Sequence, residues 1–149
     1  MSLAIFIQPE GELNSEIIYW KNKINNKIIN QPYVNHPPHM TLLHFESINE
    51  NNALGIFSNL SNKFSQFKID INETNIFWDD LITNGHTFYF NVKKNNNLYK
   101  IQKFIAEKFK DNKKNINPPL YLKKNKEMLE SFKKYGFPFI GDHWIPHFS

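Results

Sequence analysis

The chain has no cysteine among its 149 residues. Disulfides, a thiol nucleophile and cysteine-ligated zinc or iron–sulfur sites are therefore excluded, and any catalysis has to come from histidine, carboxylates, hydroxyls or lysine. Long apolar runs are missing as well. None approaches the roughly 18 residues of a membrane span, and the opening MSLAIFIQPE is too short, and lacks the basic flank, of a signal peptide. A cytoplasmic protein without a membrane partner is expected.

What is present suffices for one packed domain over residues 1–149, because 40% of the residues are hydrophobic and 14 are phenylalanine. The formal charge of +4 gives a modest positive field that favours anionic ligands such as phosphates or RNA. Much of the excess lies in Lys93 and Lys94, Lys108 and Lys110, Lys113 and Lys114, Lys123, Lys124 and Lys126, and Lys133 and Lys134. Asparagine rather than aromatic residues separates these lysines, which describes a solvated surface first and a phosphate-steering patch second.

Hydrophobic periodicity sets the expected elements. Leu3 to Ile7 is a short apolar run stopped by Pro9 and Gly11, a buried strand and turn. Beyond Asn14 or Ser15, either able to cap a helix, Ile17, Ile18, Lys21, Ile24, Ile28 and Ile29 follow helical spacing. Three prolines make Gln31 to Pro38 a loop. His39 to Phe45 suits a second strand, and Asn51 to Phe64 a second amphipathic helix. Phe67 to Ile71, Asn75 to Trp78 and His86 to Val92 read as strands of a meander, the last reached through the Asn84-Gly85 turn. Asn97 to Phe109 is the third helix and Glu127 to Lys134 a short fourth, stopped by Gly136; His147 to Ser149 returns to strand. The order predicts an α+β fold in which helices cover one side of a largely antiparallel sheet.

Two segments echo each other. In Pro38-His39-Met40-Thr41-Leu42 and in Pro146-His147-Phe148-Ser149 a proline precedes a histidine, and a hydroxyl residue stands two places on. Strand side chains alternate between faces, so His39 and Thr41 share one side, as do His147 and Ser149. Two such strands laid together present two imidazoles and two hydroxyls. One neutral imidazole can take a proton from water or a ribose hydroxyl, the other can give one to the leaving oxygen, and the hydroxyls can bind phosphoryl oxygens. An unperturbed pKa of about 6.5 makes both protonation states accessible near neutrality, and the set requires no metal.

With its HMTL at His39 to Leu42 and HFS at His147 to Ser149, the chain resembles the 2H phosphoesterases, which include 2′-5′ RNA ligase-like proteins and cyclic phosphodiesterases. The element order follows that family over nearly the whole chain. The resemblance implies a bilobal α+β fold, with antiparallel sheets, outer helices and a central groove. It also implies metal-independent, cofactor-free hydrolysis or transesterification of 2′,3′-cyclic, 2′-5′ or 3′-5′ phosphodiesters in nucleotides or RNA. His39 and His147 would be the acid–base pair, Thr41 and Ser149 the phosphate-binding hydroxyls. A monomer is expected. Family members usually continue past the second motif, and a terminal carboxylate would repel the phosphate, so the natural polypeptide is expected to extend beyond Ser149.

Other candidates are weighed beside these. His36, His39 and His44, or His143 and His147, could be read as metal ligands, but His39 and His44 face opposite ways in a strand, so no metal site is expected. His36 and His143 are candidates to support the site, and Tyr33 and Trp144 to stack on a base. His44 reads as a packing or surface residue, and His86 as a structural turn histidine because Thr87 adjoins it directly. The alternatives are a non-catalytic basic α+β domain that binds RNA or protein, or the same fold acting on cyclic oligonucleotide signals, ADP-ribose cyclic phosphates or RNA 3′ ends. Substrate choice is expected in the loops at Asn30 to Pro37, Asp79 to Gly85 and Lys110 to Gly141.

Overall fold

The computed structural model describes residues 1–28, 33–60, 63–80 and 82–149. Its elements are strands β1 (Ser2–Ile7), β2 (Met40–Glu46), β3 (Ile71–Asp80), β4 (Gly85–Val92) and β5 (His147–Phe148), with helices α1 (Gly11–Asn25), α2 (Glu50–Leu60), α3 (Asn96–Phe109) and α4 (Lys126–Tyr135). Two small antiparallel sheets and four helices make an α+β fold. The chain divides into two compact units, one of residues 1–5, 41–69 and 94–145, the other of residues 6–40, 70–93 and 146–149.

In the first unit the sheet pairs β1 with β2. Strand β2 buries Leu42, Leu43 and Phe45 and exposes His44. Helix α3 is amphipathic, with Leu98, Ile105, Ala106 and Phe109 buried; the Phe109 ring lies 5.7 Å from Phe45. Asn95 caps α3 by accepting from the N–H groups of Asn97 and Leu98, and Asn125 caps α4 by accepting from Met128. Helix α4 ends at Gly136, whose φ of 76° is the left-handed conformation that glycine adopts freely. Two buried polar residues are fully engaged. Gln102 donates to Phe139 O and accepts from the Gly141 N–H, and Asn112 bonds Ser47 and Asn49.

In the second unit a three-stranded antiparallel sheet runs in the order β3-β4-β5. Successive residues of β4 alternate between its faces. Phe88 and Phe90 belong to one face, and Trp20 of α1 lies 5.8 Å from Phe88 there. Thr87, Tyr89 and Asn91 belong to the other. The β3–β4 connection is closed by the Asp80 carboxylate, which accepts from the Ile82 N–H and from the hydroxyls of Thr83 and Thr87. Asn84 supplies the turn's positive φ of 56°, as the Asn84-Gly85 signal implied.

Several expected boundaries move. Helix α1 begins at Gly11, without a side-chain cap; Asn14 and Ser15 lie inside it, and Ser15 bonds back to Gly11 O. The helix ends at Asn25, so Ile28, expected in it, lies beyond it, and Ile29 lies outside the described residues with Asn30, Gln31 and Pro32. Helix α2 ends at Leu60 rather than Phe64, Ser61 and Asn62 again lying outside. Phe67 to Asp70 lies outside any strand, and Ile71 belongs to the same strand, β3, as Asn75 to Trp78. The polar run Asn72 to Asn75 hid that continuity, because β3 is held there by its register with β4. Residues 110–112, 120–124 and 141–143 form short 3₁₀ turns within the stretch read as loop.

Candidate active site

The last strand fixes the geometry. On one edge β5 pairs with β4, His147 opposite Asn91 and Phe148 opposite Phe90, and the Val92 N–H donates to Pro146 O one step earlier. On the other edge His39 and Ser149 exchange both backbone hydrogen bonds, each 3.3 Å. Residues paired in this way lie directly opposite, with their side chains on one face. Phe148 is 1% exposed and turned the other way, so His147 and Ser149 share the face of His39. All three belong to the second unit, and all three are half-buried, which leaves them partly accessible.

Each imidazole is held differently. Nδ1 of His39 lies 2.7 Å from Pro37 O. A carbonyl can only accept, so in the neutral ring Nδ1 carries the proton and Nε2 holds the lone pair. The Phe6 ring lies 5.3 Å away at a tilt. The ring of His147 meets Phe77 and Tyr89 edge-on at 5.0 and 5.1 Å, and those two rings stack on each other at 4.0 Å. Burial, and secondarily the Glu73 carboxylate, push the Tyr89 phenol above its ordinary value, so it stays protonated at neutrality.

The model of the 2′-5′ RNA ligase superfamily matches residues 14–149. The chain belongs to this family, within the 2H phosphoesterases. No curated protein and no solved structure matches it. Membership in the 2′-5′ RNA ligase superfamily brings phosphoesterase- or ligase-type chemistry on an RNA or nucleotide substrate. Among the described residues no helix is long and apolar enough to cross a membrane, and no three His, Cys, Asp or Glu side chains form a group able to hold a metal ion.

The other candidate residues of this 2H phosphoesterase separate. Thr41, in β2 and the first unit, is half-buried, two residues along the strand from His39. Its carbonyl accepts from Nε1 of Trp144 at 3.1 Å. Trp144 is 4% exposed, and Tyr99 meets it edge-on while donating to its carbonyl. It therefore has no open face on which a base could stack, and its part is to hold the Thr41 backbone. Nε2 of His143 lies 2.8 Å from the Glu127 carboxylate in the first unit. His36 is exposed and meets the ring of Tyr33 at 5.2 Å. Tyr33 is 54% exposed, with a φ of 66°, and keeps a face open to solvent. His44 is exposed and bonds Ser2. His86 accepts from the Asp79 N–H beside the hairpin turn, the structural part expected of it.

Phe6, Phe77, Tyr89 and Asn91 were not anticipated. Alternation along His86 to Val92 puts Thr87, Tyr89 and Asn91 on one face, but only the pairing of Asn91 with His147 identifies that face as the one bearing the histidine.

Proposed function

We propose that the protein is a metal-independent phosphodiesterase acting on 2′,3′-cyclic phosphates or 2′-5′-linked oligonucleotides, with His39 and His147 as its acid–base pair and Thr41 and Ser149 as phosphate-binding hydroxyls. The observation that carries this reading is the backbone exchange between His39 and Ser149, which lays the first histidine beside the strand of the second. Residues 1–149 are read as one domain of this kind.

With a cyclic phosphate, one neutral imidazole takes a proton from water as the oxygen attacks phosphorus. The bond from phosphorus to one ribose oxygen breaks, and the other imidazole, as imidazolium, gives that oxygen its proton. With a 2′-5′ linkage, the neighbouring 3′-hydroxyl attacks instead and the 5′-oxygen leaves protonated, producing the cyclic phosphate. In both cases one imidazole ends charged and the other neutral, and exchange with solvent resets them. The Pro37 carbonyl keeps His39 Nε2 directed to this work, while the imidazolium and the hydroxyls stabilise charge on the phosphoryl oxygens.

His39→Ala and His147→Ala, assayed on 2′,3′-cyclic nucleotides and 2′-5′ oligonucleotides, should each lose ~10²–10⁴ in rate. The double variant should lose little more than the worse single one, as expected of groups acting in one step. EDTA should change nothing. Wild-type protein with no turnover on either substrate, or full activity in either single variant, would sink the proposal.

A further inference from the structure

Charge is divided unequally between the two units. The first carries 14 lysines against 7 carboxylates, net +7, whereas the second carries 4 against 7, net −3. Within the first unit lies an open groove of about 580 Å³. One wall is the segment 63–67. The other is a stripe of α3, Asn97, Lys100, Ile101 and Phe104, spaced so as to lie on one helix face. The walls are joined at one end by Asn95, which caps α3 and donates its amide to Lys68 O, and at the other by the edge-to-face pair of Phe64 and Phe104, 5.9 Å apart. Among the described residues no carboxylate lines the groove. Among the described residues, neither Lys63 nor Lys100 is in an ion pair, and both are exposed, as are Phe64 and Phe104 at 36% each.

Partly exposed aromatic rings beside lysines, one ring already carrying the Lys108 ammonium at 5.4 Å, on a strongly positive body are the chemistry of a single-stranded nucleic-acid site, where bases stack and phosphates meet lysines. We infer that this groove binds a single-stranded stretch of RNA, Phe64 and Phe104 stacking on bases and Lys63 and Lys100 contacting phosphates. An acidic protein segment would match the charge but would not call for a pair of partly exposed rings at one end of the groove. The inference rests on the family's RNA or nucleotide substrate and not on His39 or His147, and its test is a binding measurement that an inactive protein can also pass.

The probe is a fluorescein-labelled 3′-5′ oligouridylate, followed by anisotropy across a salt series. Lys63→Glu with Lys100→Glu should weaken binding at least tenfold and lower the salt slope by about 1.4, two phosphate contacts at ~0.7 each. Phe104→Ala should weaken it at least fivefold with little change in slope. Lys123→Glu with Lys124→Glu, the same charge change at exposed lysines outside the groove, should cost less than threefold. Turnover of 2′,3′-cyclic mononucleotides, where the protein shows any, should be the same in all variants. Equal losses in the two lysine pairs, or undiminished binding in the groove variants, would overturn the inference. As a check on folded wild type, 4-thiouridine RNA should crosslink to residues 63–67 or 97–104; crosslinks confined to other peptides would also overturn it.

Discussion

Gln102 should be among the costliest single side chains to alter outside the candidate site. It is fully buried in α3, donates to Phe139 O at 2.7 Å and accepts from the Gly141 N–H at 3.1 Å. Gln102→Met keeps the length and fills the same space, so little cavity arises, but it strands one carbonyl and one amide in the loop leading to His143 and Trp144. Each of the two unsatisfied groups costs ~1–3 kcal/mol, which places the loss at roughly 2–6 kcal/mol. For a chain of this length the unfolding entropy is about 0.3 kcal/mol per kelvin, so Tm should fall by about 6–19 °C. Urea unfolding should give a lower midpoint with an unchanged slope. A fall below about 2 °C would show that the loop finds other partners, and the reasoning would be refuted.

Two further perturbations test the packing of the first unit. Glu107 bonds Lys134 and the Tyr135 hydroxyl and pairs with Lys110; these partners hold its carboxyl at about 2, well below the ordinary value of 4.5. A depressed carboxyl stabilises the fold above its unfolded pKa and loses that stabilisation as pH falls through its folded one. Because Glu107 is about a third exposed, screening reduces the benefit to about 1 kcal/mol. Glu107→Gln should therefore be less stable than wild type by that amount at pH 7, the gap closing between about pH 5 and pH 2 in denaturation curves; a gap that ignores pH would contradict this. Gly136→Ala places a Cβ 3.0 Å from that of Phe45 at a φ of 76°, so it should cost about 1–2 kcal/mol from the left-handed backbone alone. A neutral result in thermal unfolding would show that α4 can end differently.

How much was legible depended on whether a residue's environment is set locally. Helices α3 and α4 were read nearly to the residue, α3 from its apolar stripe and α4 from the stop at Gly136, signals that act within one or two turns, whereas the caps at Asn95 and Asn125 went unread. The two histidine strands were legible from proline, histidine and hydroxyl placed at strand parity. The start of α1 was missed because Gly11 reads as a turn and no side chain caps the helix there. Strand β3 was split because Asn72 to Asn75 carry no apolar signal, and only β4 keeps them in line. Phe77 and Tyr89 around His147, like the burial of Trp144, depend on contacts between residues far apart in the chain, which no local pattern encodes.

The exchange between His39 and Ser149 spans about 110 residues of chain. Closing so long a loop sets a substantial entropic cost against two backbone hydrogen bonds, so β5 should join late, after the β3–β4 hairpin and the helices have brought its position near. Newly made chain lacks the second histidine strand until residue 149 has left the ribosome. Activity at the proposed site is then a reporter of β5 having joined its sheet, and its recovery on dilution from urea should lag behind the recovery of helical signal.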